Sequence, residues 1–220
     1  MGNFVSKIKY GFTLAEVLIT LVIIGIVAAL TIPTAINKYK DEELKSQFKK
    51  AYSTILQAMY KTEMNDFAGY APCYYGAGQL EGQTQWGSCT AFFNALAKNL
   101  QVQKICLGNA KSDGCIPTYS YNIHDGCGGF SVSTIETNSM VYVLNNGQII
   151  ITYGTGGPLF MYDINGQKGP NLRGKDLFSF MIERNENTGL YTNRGTCESP
   201  VSGVNGGRTT EEMIKYALTK

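Results

Sequence analysis

The sequence predicts an α+β protein in which one long amino-terminal helix packs against a carboxy-terminal antiparallel β-sheet. Three observations carry this reading. An apolar run extends from Phe12 to Ile32, about the 20 residues a helix needs to cross hydrocarbon. Beyond Pro33 apolar residues recur at helical spacing, and after residue 139 the pattern changes to short strands separated by turn residues.

The first run has no polar stripe from Val17 to Ile32, so it does not read as a helix of a soluble core. Lys7 and Lys9 precede it, as in a secretory signal, but the run is longer than the apolar core of such a signal. Glu16 near its start is the anomaly. A carboxylate inside a spanning helix costs about 2.5–3.5 kcal/mol on insertion scales. A plain membrane anchor accounts for the length and leaves this residue unexplained.

Pro33 removes one backbone hydrogen bond, yet Ile36, Leu44, Phe48, Ala51, Tyr52, Ile55 and Met59 continue the helical period. Lys38, Asp41, Glu42, Lys45 and Lys49 fall on other faces, and Asp41 with Lys45 forms an acid-first i,i+4 pair. One helix from Phe12 to about Lys61 would be roughly 75 Å long. Residues 65–88 read as loop, with Gly69, Pro72, Gly76, Gly78, Gly82 and Gly87 as punctuation. A short amphipathic helix is expected at Cys89–Leu100, carrying Phe92, Phe93, Leu96 and Leu100. Residues 103–130 read as irregular. Strands are expected at Met140–Leu144, Gln148–Tyr153, Leu159–Ile164 and Asp176–Ile182, the first two joined by the hairpin signal Asn145-Asn146-Gly147. Short strands and tight turns argue for a meander with one face on the long helix. A last helix is expected at Thr209–Leu218.

The stretch Lys9-Tyr10-Gly11-Phe12-Thr13-Leu14-Ala15-Glu16-Val17-Leu18-Ile19 resembles the leader and methylation motif of type IV pilins and type II secretion pseudopilins. The close resemblance covers residues 7–33 and includes Pro33. It implies a leader over residues 1–11, cleavage after Gly11 by a dedicated prepilin peptidase on the cytoplasmic side, and N-methylation of Phe12. Residues 12–33 would form the membrane and assembly helix, and 34–62 its amphipathic continuation. Residues 63–220 would be an exported domain, with a variable cysteine-containing region at 63–138 and the sheet at 139–192. The implied partners are membrane lipid, the peptidase and methylase, an inner-membrane assembly machine, and further pilin-like subunits in a helical filament. Glu16 would meet the charged amino terminus of Phe12 in a neighbouring subunit. Such a pair sets register more than it adds stability, because desolvation offsets much of the attraction.

The implied function is a structural subunit of a type IV pilus or a type II secretion pseudopilus. Competing expectations are a competence-type pilin that captures DNA, and a membrane-anchored exported domain with another activity. Net charge is +2, and no basic and aromatic interleaving is evident, which argues against a nucleic-acid binder. Tyr142, Tyr153 and Tyr162 alternate with apolar residues and read as sheet positions. No Gly-rich phosphate loop precedes a helix. His124, beside Asp125, is the single histidine and reads as structural, so no catalytic residue is assigned.

The six cysteines, Cys73, Cys89, Cys106, Cys115, Cys127 and Cys197, all follow the apolar helix. An even count in an exported, Gly-rich domain favours disulfides, and the absence of C-x-x-C spacing argues against zinc. Six cysteines admit many pairings. The expected pattern takes Cys106–Cys115 as a local loop and uses Cys197 to tie the tail to an earlier segment. The stretch Asp163–Asp176 carries a calcium hypothesis, with Asp163, Asn165 and Asp176 as ligands and carbonyls near Gln167. The type II secretion major pseudopilin is similar in holding calcium in its late sheet loops. Only two carboxylates are present here, beside Lys168, Arg173 and Lys175, so an ordinary turn is the favoured reading. No cofactor is required by any other feature.

Overall fold

The computed structural model describes residues 11–66, 89–119, 131–137, 139–152, 159–182, 190–192 and 207–219. The chain divides into two compact units between Glu43 and Leu44.

The first unit is helical. Helix α1 runs from Leu14 to Asp66 and passes through Pro33 without ending, so the helical period after the proline is the stronger signal. From Leu14 to Ile32 its large apolar side chains are exposed all round: Leu14 is 80 % exposed and Leu30 72 %. An apolar helix bare on every face is a helix that lacks its solvent. It is long and apolar enough to cross a membrane.

The second unit is built on a six-stranded sheet with strands in sequential order, each antiparallel to the next. The strands are β1 Val102–Leu107, β2 Met140–Leu144, β3 Ile149–Thr152, β4 Leu159–Asp163, β5 Leu177–Ile182 and β6 Leu190–Thr192. The β2–β3 turn falls at Asn145-Asn146-Gly147, where Gly147 takes φ +84°, a conformation open to glycine. Helices α2 (Thr90–Asn99), α3 (Val132–Thr137) and α4 (Thr210–Leu218) complete the unit. Thr209 caps α4 through a reciprocal box with Glu212.

Alternation along the strands assigns two cores. On one face Tyr142, Ile150, Phe160, Tyr162, Phe178 and Phe180 meet Phe48, Ala51 and Ile55 of α1, Phe93 and Leu96 of α2, and Met213 of α4. Phe48 stands edge-on to Phe178 at 4.8 Å between ring centroids, and Phe93 edge-on to Phe160 at 5.9 Å. Each such side chain contributes about 1.5–3 kcal/mol by leaving water. This is the helix-on-sheet packing that the sequence predicts.

The other face, for which the sequence reading named no cover, is covered too. Val141, Ile149, Ile151, Met161 and Leu177 lie beneath Ala110, Cys115, Ile116 and Tyr119 of the segment after β1, and beneath Ile135 of α3. The physical reason is visible in Ile149-Ile150-Ile151: three consecutive apolar residues in a strand require cover on both sides. The sheet is also wider than residues 139–192, since β1 pairs with β2, as in Cys106 opposite Val141. Gln103 and Lys104 are exposed on this edge strand, which is why residues 103–107 did not read as a strand.

Candidate functional site

The residues expected to be processed stand ahead of α1. Gly11 and Phe12 precede the first helical residue and are exposed, Phe12 at 89 %. The backbone there is outside regular structure and accessible to a peptidase.

Glu16 lies in the first turn of α1, where the four leading N–H groups have no partner within the helix. Its Oε2 accepts the Thr13 backbone N–H at 2.8 Å and the Thr13 hydroxyl at 2.7 Å. The Glu16 N–H in turn donates to Thr13 Oγ1 at 3.3 Å. Thr13 and Glu16 therefore form a capping box that satisfies the helix end locally. In hydrocarbon each unsatisfied backbone group costs several kcal/mol, so the box matters more there than in water. Sequence reasoning assigned Glu16 only an intermolecular partner and missed Thr13. The signal was present: threonine, two residues, then glutamate, ahead of an apolar run.

A second constellation lies in the loop between β4 and β5. Asp163 is fully buried. Its Oδ1 accepts the N–H of Gly166 at 2.7 Å and of Asn165 at 3.2 Å, while Tyr119 donates its hydroxyl to Oδ2 at 2.7 Å. Asp176, also buried, accepts the N–H of Leu172 on Oδ1 and of Asn171 on Oδ2, each at 2.7 Å. The Asn165 side chain bonds Asp176 as well, so the three residues named for calcium do converge. Both carboxylates brace the turn through backbone N–H groups.

Burial pushes the Asp163 carboxyl up to about 8, and the nearby Asp176 charge adds to it, against the pull of Tyr119 and the loop N–H groups. Asp176 is also raised, first by burial, with the N–H groups of Asn171 and Leu172 opposing. Burial and then the Asp163 charge hold the Tyr119 hydroxyl well above its ordinary range. Two acceptor oxygens of the same loop, Asn165 Oδ1 and Asn171 Oδ1, are buried without a hydrogen-bond partner. The loop thus offers oxygen atoms only, two carboxyls and two unpartnered amide oxygens, which is the donor type a hard cation takes. Among the described residues no group of three or more histidines, cysteines, aspartates or glutamates is placed to hold a metal, so the amide oxygens are essential to that fit. Asn171 was missed in the sequence because its relation to Asp176 depends on how the loop folds. Gly166 (φ +66°) brings this loop against the β2–β3 turn, where a Cβ would lie 1.8 Å from the Gly147 carbonyl oxygen.

The Cys106–Cys115 disulfide is present, with 6.5 Å between Cα atoms, and ties β1 to the segment that covers the second sheet face. Cys89 is disulfide-bonded as well. Cys73, Cys127, Cys197, His124 and Tyr153 lie outside the described residues, so the expectations placed on them have no geometry here. Tyr142 and Tyr162 are buried sheet positions, as the alternation predicts.

None of the curated proteins and none of the solved structures matches the chain. Residues 6–32 match the family model described as the prokaryotic N-terminal methylation motif, a signature of type IV pilin and pseudopilin precursors.

Proposed function

We propose that the protein is a structural subunit of a type IV pilus or a type II secretion pseudopilus. It is stored in the membrane through α1, cleaved between Gly11 and Phe12, N-methylated at Phe12, and polymerised through the apolar half of α1. The observation that carries this reading is the juxtaposition of exposed Gly11-Phe12, the Thr13–Glu16 box, and a helix bare of cover on every face from Leu14 to Ile32. A lone anchor needs the apolar length but not the carboxylate. In a filament, neighbouring copies of the helix supply the missing cover, and Glu16 supplies the counter-charge for a neighbour's new amino terminus. The Cys106–Cys115 disulfide supports an exported position for the second unit. The partners on this reading are the prepilin peptidase and methylase, an assembly machine in the inner membrane, and further pilin-like subunits.

The experiment is a substitution at the scissile position. Gly11→Val places a branched side chain where the peptidase must seat the backbone. The expected result is a membrane protein that keeps its precursor mass and forms no sheared filament. Efficient cleavage and normal filaments from this variant would contradict the reading.

A second proposal concerns the loop after β4. We infer that it holds a calcium ion through Asp163 and Asp176, completed by the side-chain oxygens of Asn165 and Asn171. The unpartnered amide oxygens support it. The bound ion would neutralise the two buried carboxylates and fix the loop.

A further inference from the structure

The segment after β1, residues 110–119, folds back over the second face of the sheet. Its first part is anchored without a covalent tie. The Ala110 N–H donates to the Glu136 carbonyl of α3 at 2.9 Å, and the Cys115 N–H donates to the Ala110 carbonyl at 2.8 Å. The far end is held differently. Cys115 is disulfide-bonded to Cys106 of β1, and both cysteines are buried. A short closed loop of this kind restricts where Cys115 can go.

This far end carries two contacts that reach the aspartate loop. Immediately before Cys115, the Gly114 carbonyl accepts the Gln167 side-chain amide at 3.4 Å. Just beyond it, the Tyr119 hydroxyl donates to Asp163 Oδ2 at 2.7 Å. Tyr119 and Asp163 are both buried, and an acceptor left bare in such a place costs free energy. Oδ1 of the same carboxyl accepts the N–H groups of Asn165 and Gly166. The Asp163 side chain is therefore positioned jointly by Tyr119 and by the turn.

We propose that the Cys106–Cys115 disulfide is a redox latch on the aspartate loop. Closed, it holds Tyr119 against Asp163 and fixes residues 163–176; open, it leaves the sheet folded and frees the loop. The route is short: the bond pins Cys115 to β1, Cys115 places Tyr119, and Tyr119 fixes a carboxyl around which the turn is folded. Closing the latch joins the two Sγ atoms. The two thiol protons and two electrons pass to the disulfide of an external thiol–disulfide exchange partner, which becomes two thiols. Burial denies a reductant access to the finished bond, so the latch closes once, in an oxidising compartment, and does not cycle. On the calcium reading above, on which this consequence rests, the loop becomes ready for a cation only after export. A hydrogen-bond partner of a metal-binding carboxylate controls affinity by about 10–100-fold.

Hydrogen exchange of the full-length protein in detergent micelles, read by mass spectrometry without calcium, tests the latch. One variant combines Cys106→Ala with Cys115→Ala, which opens this bond and leaves that of Cys89 in place. The other, Tyr119→Phe, keeps the disulfide and loses only the hydroxyl. In both, exchange over residues 163–176 is expected to speed up by about tenfold or more, as loss of a buried hydrogen bond predicts. Residues 140–152 of β2 and β3 are expected to keep the parent's protection. Parent-like exchange over 163–176 in either variant would overturn the proposal. Lost protection over 140–152 in the cysteine variant would overturn it too, because the bond would then hold the whole sheet. Added calcium separates the latch from the calcium reading. Slower exchange over 163–176 in the parent, with a smaller slowing in both variants, supports the two together. No effect of calcium on the parent contradicts the calcium reading alone, since the latch is read without the ion.

Discussion

Replacing Glu16 with alanine is expected to leave the protein inserted in the membrane and to stop it polymerising. Insertion is driven by the apolar run from Phe12 to Ile32, and loss of a carboxylate near its start removes a cost of about 2.5–3.5 kcal/mol. Assembly moves in the opposite direction. A neighbour's amino terminus left unpaired in low dielectric costs several kcal/mol, and about 1.4 kcal/mol is a factor of ten in an equilibrium. Filament yield should therefore fall by orders of magnitude while the membrane fraction stays full. Glu16→Ala also loses the bonds to the Thr13 N–H and hydroxyl, so Glu16→Gln is the informative companion. Glutamine keeps an acceptor for Thr13 and lacks the charge, and the same assembly defect is expected. Normal filaments from Glu16→Gln would show that the carboxylate acts only as a helix cap. Shearing, sedimentation and membrane fractionation of the two variants separate these outcomes.

Calcium is expected to raise the melting temperature of the second unit, and to raise it more at pH 8 than at pH 5. The folded Asp163 carboxyl is lifted to about 8 from an ordinary value of 3.8, chiefly by burial. Between those values the folded state holds a proton that the unfolded state has released. Stability without metal therefore falls as pH rises through this window. A cation needs the same oxygens deprotonated, so protons compete with it at low pH and its stabilisation grows as pH rises. Thermal unfolding with calcium and with a chelator, at both pH values, reads this directly. Identical melting temperatures with and without calcium at pH 8 would remove the ion and leave Asp163 and Asp176 as braces of the turn alone.

Much of the architecture was legible because it rests on local pattern. The period from Ile36 to Met59 carried α1 through Pro33, and the Phe92-Phe93-Leu96 spacing marked α2. The Asn145-Asn146-Gly147 signal fixed the β2–β3 turn, and the Thr209–Glu212 box fixed the start of α4. What escaped depends on contacts distant in sequence. Strand β1 offers polar Gln103 and Lys104 to solvent, so its pairing with β2 has little hydrophobic signature. The second core had a sign in Ile149-Ile150-Ile151, but the identity of its cover, from Ala110 to Tyr119 and Ile135, had none. At the aspartate loop the sequence offered Asp163, Asn165 and Asp176. It did not show that Tyr119, 44 residues earlier, would close over Asp163, or that Asn171 would bury an unpartnered oxygen.

On the proposed function the chain enters the pilin pathway at Gly11–Phe12. Intact mass and amino-terminal sequencing of the protein from its native membrane, before and after reduction, reads that entry. The expected mature chain begins with N-methylated Phe12, and its cysteines take up alkylating reagent only after reduction. A chain that retains Met1 at its amino terminus would contradict the account, leaving a single-span anchor in which Glu16 serves α1 as a cap.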